Sequence, residues 1–185
     1  WGSLGFIVIS ALMGDLIDQH GESSIPLVVL ACFVFISVSS FLVPEKLNAP
    51  HSDHSPIWHV IRQPKVMAFL VACFLMLFSH GPYYTFYTIY LEEHGYSSHI
   101  IGVLWAVGVM AEVVIFLIMH RLLPMFGARK LLLVTFALTT LRWLLTGFFV
   151  DDLTILFVAQ LIHAFSFGVH HAVGISLVHD YFTGS

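Results

Sequence analysis

The sequence predicts an all-α integral membrane protein, and three observations predict it. The chain of 185 residues is 58% hydrophobic and only 10% charged, its apolar residues gather into long runs, and its charges collect in the breaks between those runs. A soluble domain carries roughly 45–50% apolar and 25% charged residues, and a helix needs about 20 apolar residues to cross a bilayer. The formal net charge of −4 leaves no basic footprint for nucleic acid. Cys32 and Cys73 each sit midway along an apolar run. There they act as small buried hydrophobes and offer neither a disulfide framework nor a metal spacing. The chain begins at Trp1 without a positively charged leader and cleavage site, and it reads as an internal fragment of a longer protein.

Taken in order, residues 1–14 form a short apolar run whose Gly2, Ser3, Ser10 and Gly14 are small enough for close helix packing. Residues 25–43, 66–91, 100–119, 131–150 and 153–178 are each long enough to span a bilayer as a helix. Six transmembrane helices are therefore expected. The breaks at 15–24, 44–65, 92–99 and 120–130, and the brief one at Asp151 and Asp152, carry turn chemistry and charge.

Charge differs from break to break. Lys46, Arg62, Lys65, Arg121, Arg129 and Lys130 fall in the second and fourth breaks, whereas Asp15, Asp18, Glu22, Glu92, Glu93, Asp151 and Asp152 fall in the other three. The positive-inside rule makes the basic breaks cytoplasmic, so the first helix runs outward and the last inward. Residues 44–65 are rich in Pro, Ser and His and read as a linker, with two helices before it and four after. Its His51, Asp53, His54 and His59 read as a solvated stretch; no metal and no cofactor is expected.

Polar residues inside the apolar runs mark the candidate site, because an ionisable group at membrane depth costs at least roughly 2.5–3.5 kcal/mol unless it is paired or faces water. Glu112 shares a helical face with Trp105 and Gly108, and Arg142 shares one with Thr135, Thr139 and Thr146. As the deep acid and base of adjacent antiparallel helices, Glu112 and Arg142 are candidate partners; a fixed structural ion pair is the competing reading. His80, Tyr83, Tyr84 and Tyr87 line one face around a Gly81-Pro82 step, which is expected to break or kink its helix. In "QLIHAFSFGVHH", residues 160–171, the side chains of Gln160, His163, Phe167, His170 and His171 also fall on one face. A histidine there suits either a proton path or a hydrogen bond to a substrate.

These residues carry a family resemblance. "WGSLGFIVISALMG" at 1–14, "IYLEEHGYSSHIIGVLWAVGVMAEVVIF" at 89–116, "ARKLLLVTFALTTLRW" at 128–143 and "VAQLIHAF" at 158–165 resemble helices five, seven to eight, nine and ten of the major facilitator superfamily, in its 3-phenylpropionate permease-like branch. The resemblance covers almost the whole chain. It implies six helices of a twelve-helix transporter: residues 1–43 as the last two helices of the N-terminal bundle, 44–65 as the cytoplasmic linker, and 66–185 as the first four helices of the C-terminal bundle. "HRLLPMFGARK" at 120–130 is similar to the second copy of the superfamily's loop motif, keeping Gly127, Arg129 and Lys130 but lacking its Asp-Arg pair. The Gly-Pro motif that antiporters carry in helix five is absent, which favours symport.

The more distant lactose permease uses an acid, an arginine and a histidine on helices eight, nine and ten. Glu112, Arg142 and His163 stand in similar places, with Glu112 offset by about one turn and Ser166 where that relative has a second carboxylate. The expected function is proton-coupled symport of a small aromatic carboxylate in the bacterial inner membrane. Glu112 and His163 are the expected proton-coupling residues; Arg142, His80, Tyr83, Tyr84, Tyr87, Gln160 and Trp105 are the expected substrate-binding ones. The partners implied are the substrate, protons, the lipid bilayer and the remaining helices of the same chain. A nucleoside or a sugar would suit the same side chains, and the resemblance is what favours the aromatic acid. A non-transporting sensor and a histidine-ligated membrane metalloenzyme are the rivals from other classes.

Overall fold

A computed structural model describes residues 2–43 and 57–182. Its described residues are helical throughout: α1 (Gly2–His20), α2 (Ser24–Ser40), the short α3 (Ile57–Ile61), α4 (Pro64–Glu93), α5 (Ser98–Phe126), α6 (Ala128–Phe148), α7 (Leu153–Ala164), a π-turn (Phe165–Val169) and α8 (His170–Phe182). The last three are continuous, so Leu153–Phe182 is one span of 30 residues. With α1, α4, α5 and α6 it makes five helices long and apolar enough to cross a membrane. The expected sixth, α2, has 17 residues and no buried side chain. At 1.5 Å per residue it is about 25 Å long, at the lower limit for a span. Most of the linker, residues 44–56 with His51, Asp53 and His54, lies outside the described residues.

Local chemistry sets the helix ends. Ser97 accepts a hydrogen bond from the Ile100 amide, and Asp152 Oδ1 accepts from the Thr154 and Ile155 amides at 2.8 and 3.3 Å, capping α5 and α7. Pro64 opens α4, where a missing N–H costs nothing. The expected break at 120–130 is much shorter than predicted: α5 continues to Phe126 and a single residue, Gly127, separates it from α6. Gly127 has φ 75°, a conformation that a side chain would strain. The Gly81-Pro82 step does not break its helix either, because α4 runs through Pro82 without interruption. The carbonyl freed by the proline belongs to Phe78, four residues back on an exposed turn.

The chain folds back and forth, as alternating spans require. At the acidic end His99 meets Asp15 at 3.2 Å and the Tyr96 hydroxyl donates to the Val150 carbonyl at 2.7 Å, which brings the first, third and fifth breaks together. At the basic end the Lys65 ammonium lies over the Tyr181 ring and Phe69 meets the same ring edge-on. Small residues set the closest approach: a methyl on Gly102 of α5 would lie 3.2 Å from the Ser10 carbonyl of α1. One at Gly14 would lie 3.4 Å from the Ser98 carbonyl. Two apolar clusters form the core. Tyr83, Tyr87, Leu91, Ile101, Leu104, Val150 and Leu156 pack toward the acidic end, and Ile115, Met119, Leu131, Ala164, Val169 and Val173 toward the basic end. The buried polar residues lie between the two.

Candidate functional site

Three helices contribute one chain of close polar contacts. Arg142 of α6, His163 of α7 and Glu112 of α5 are 3%, 3% and 5% exposed. Arg142 Nη1 lies 2.7 Å from His163 Nδ1, and His163 Nε2 lies 2.9 Å from Glu112 Oε1. A guanidinium can only donate, so Nδ1 must be the acceptor and the ring hydrogen must sit on Nε2, the nitrogen that lies beside the carboxylate. Arg142 and Glu112 thus meet through a neutral imidazole instead of as the direct pair that the sequence suggested. Both ring nitrogens of His163 are committed.

Arg142 retains unspent capacity. Its Nε and Nη2 are buried without a hydrogen-bond partner among the described residues. These two nitrogens form one edge of the guanidinium, the fork that receives a carboxylate through two parallel bonds. One face of the guanidinium lies 4.4 Å from the centroid of the Tyr83 ring.

Around this chain stand the expected aromatic side chains. The Tyr83 ring is 4.6 Å from Trp105 and 4.9 Å from both Tyr87 and His163. Tyr83 donates to Gln160 Oε1 at 2.9 Å, and Trp105 Nε1 donates to Thr88 at 3.2 Å. The gap expected at Gly108 is filled by the Gln160 carboxamide, since a methyl there would lie 2.8 Å from its Oε1. Tyr84 differs from its neighbours: 53% exposed, it stacks on Trp105 at 6.1 Å and 13°. Together with Glu112, His163 and Phe167 these two rings line an open cavity of about 230 Å³ to which α1 contributes Gly2, Ser3 and Phe6.

His80 is buried beside His163, with ring centroids 5.8 Å apart. Its Nδ1 is 2.8 Å from the Met76 carbonyl, which fixes the hydrogen on Nδ1 and leaves Nε2 as an acceptor. The histidine face of residues 160–171 is resolved into a ladder in which His163, Phe167 and His171 stack at 6.0 Å steps. His170 turns instead toward Phe136. The π-turn was not expected. At its start the Ser166 hydroxyl donates to the His163 carbonyl at 2.9 Å, and Gly168 lets the π-turn pack closely against Glu112 and Ile115 of α5. Among the described residues no group of three or more His, Cys, Asp or Glu side chains is arranged to hold a metal.

A polytopic helical bundle with an acid, a base and an imidazole linked at its centre defines a class of membrane protein, and comparison names it. The profile of the MFS_1 like family matches residues 1–185, and the chain belongs to that family of the major facilitator superfamily. It is 32% identical over 178 residues to the probable 3-phenylpropionic acid transporter of Escherichia coli (strain K12), covering 92% of this chain and 46% of that one. The chain therefore spans about half the length of the curated relative it matches. No solved structure matches it.

Proposed function

We propose that this chain is the central part of a twelve-helix secondary transporter of the bacterial inner membrane, which takes up a small aromatic carboxylate with protons by alternating access. Residues 1–43 then close the N-terminal bundle, 44–65 form the cytoplasmic linker and 66–185 open the C-terminal bundle. The Arg142–His163–Glu112 chain is the observation that carries this reading.

The coupling follows from charge balance. Arginine, neutral imidazole and carboxylate sum to zero, and a buried site strongly resists any other total. A carboxylate substrate on the Nε–Nη2 edge of Arg142 brings the sum to −1, and a proton on Glu112 restores zero. Anion and proton are thus stabilised together and destabilised apart, which is symport in its simplest form. Tyr83, Tyr84 and Trp105 offer ring faces for an aromatic body, and His163 and Gln160 hold the polar groups in register. The Escherichia coli relative, described as a probable 3-phenylpropionic acid transporter, supports that substrate class.

The test is uptake of labelled 3-phenylpropionate, nucleosides and sugars by the complete transporter in proteoliposomes. The aromatic acid should accumulate uphill on a proton gradient, and Glu112→Gln should lose that accumulation relative to substrate exchange. Uphill accumulation by Glu112→Gln at the wild-type rate refutes the coupling assignment.

A further inference from the structure

At the basic end α3 leaves the line of α4. Gln63, which precedes Pro64, is extended at φ −65° and ψ 131°, so the span starts on a new axis. The Arg62 amide still donates to the Trp58 carbonyl at 3.2 Å, so α3 and its closing turn set Trp58, His59 and Arg62 on one face. That face is turned outward. All three side chains are exposed, Trp58 to 67%, whereas Val60 and Ile61 are half-buried where α3 meets α4 and α8. Exposed Lys65 continues the patch, its ammonium 5.4 Å from the centroid of the Tyr181 ring.

The sequence fixes the depth of this patch. The apolar run of α4 begins at Val66 and that of the last span stops at Val178, so Lys65 and Tyr181 both stand just outside the apolar layer, and their contact marks one level of the bilayer surface. Aromatic rings are at home at that level, among the headgroups. The charge there is uncompensated: Asp180, beside Tyr181, forms no ion pair with Arg62 or Lys65, and no other acid among the described residues does. Arg121, Arg129 and Lys130 are exposed at the same end and add to the positive field.

We infer that the outward face of α3, with Lys65 and Tyr181, binds the headgroup of an anionic phospholipid in the leaflet at the basic end, whatever the substrate and coupling ion. Arg62 offers the phosphate a planar fork, and Lys65 offers it a point charge held over the Tyr181 ring. The Trp58 indole supplies an N–H for the glycerol ester oxygens and a ring for the first methylenes, as an amphipathic side chain does at a membrane surface. A zwitterionic headgroup brings its own ammonium, which both cations repel. A free phosphate satisfies the cations but leaves Trp58, and Ile57 at 57% exposure, in water. The anionic lipid is the occupant that meets charge and apolar surface together, and each cation near such a surface enriches it about fivefold.

The experiment reconstitutes the complete transporter in phosphatidylcholine vesicles carrying a rising mole fraction of dibrominated phosphatidylglycerol, or of dibrominated phosphatidylcholine as the comparison, since bromine quenches an indole on contact. The emission of Trp58 is the difference between wild type and Trp58→Phe. It should fall by half at a mole fraction at least about fivefold lower for the phosphatidylglycerol than for the phosphatidylcholine. Arg62→Gln combined with Lys65→Gln should bring the two curves together, whereas Lys130→Gln, at the start of α6, should leave them apart. Inorganic phosphate at millimolar concentration should not reverse the quenching. Coincident curves for wild type overturn the inference, and so does the absence of quenching by either lipid, which would mean that another segment covers Trp58. Loss of the separation in Lys130→Gln would assign it to the net charge of the whole end, and reversal by phosphate would assign the patch to a free anion; either result overturns the lipid site.

Discussion

His163 is held as a fixed donor and acceptor between two charges, and that geometry makes a prediction independent of any transport assay. Replacing it by Phe removes the hydrogen bond at 2.7 Å and the polar contact at 2.9 Å and leaves Arg142 Nη1 and Glu112 Oε1 buried without the imidazole. The hydrogen bond to the charged guanidinium is worth about 1.5–3 kcal/mol. Leaving a buried charge without its partner costs about 3–5 kcal/mol, which sets the upper part of the range. Gln carries one acceptor and one donor on a planar group and can meet the same two demands without ionising. His163→Gln should therefore unfold within about 1 kcal/mol of wild type, whereas His163→Phe should lose about 3 kcal/mol or more. Denaturant titration of purified protein in detergent, followed by tryptophan fluorescence, ranks the three. A Phe variant as stable as wild type, or a Gln variant as unstable as Phe, refutes the tautomer and bridge deduced here.

Two further predictions follow from the helix contacts and caps. Gly102→Ala sets a methyl against the Ser10 carbonyl, a backbone atom that cannot rotate away, and should destabilise the α1–α5 contact. Gly174→Ala meets nothing within 4 Å and should be neutral or stabilising by up to about 1 kcal/mol; thermal unfolding of the two variants should shift in opposite directions. Asp152→Ala removes the acceptor for two amides at the start of α7 and should cost about 0.5–2 kcal/mol, measurable in the same denaturation experiment.

The spans were legible because hydropathy records where the bilayer lies. It does not record where a helix stops, so α5 runs past His120 and Arg121 to Phe126 and α1 past Asp15 and Asp18 to His20. Both helices leave the apolar layer before they end. Glu112 and Arg142 were legible because each stands out as a charge in an apolar run. Their connection through His163 was not, since helical spacing assigns a face on one helix but not the neighbour that face meets. Gly108 marked a gap without revealing that Gln160 fills it. Tyr84 shares a face with Tyr83 by spacing, yet it lies far enough round the helix to be half exposed. The π-turn left no readable signal, since one extra residue in a 30-residue span is smaller than the scatter of its apolar positions.

That π-turn has a consequence for comparing relatives. A single-residue insertion rotates everything beyond it by about 100° about the helix axis. A relative whose corresponding helix is regular throughout would therefore match this chain correctly up to His163 and point different residues toward the neighbouring helices beyond Val169, even under a seamless alignment. A one-residue gap placed within residues 165–169 restores spatial correspondence, so conservation at His170 and His171 is to be judged only after that gap is set.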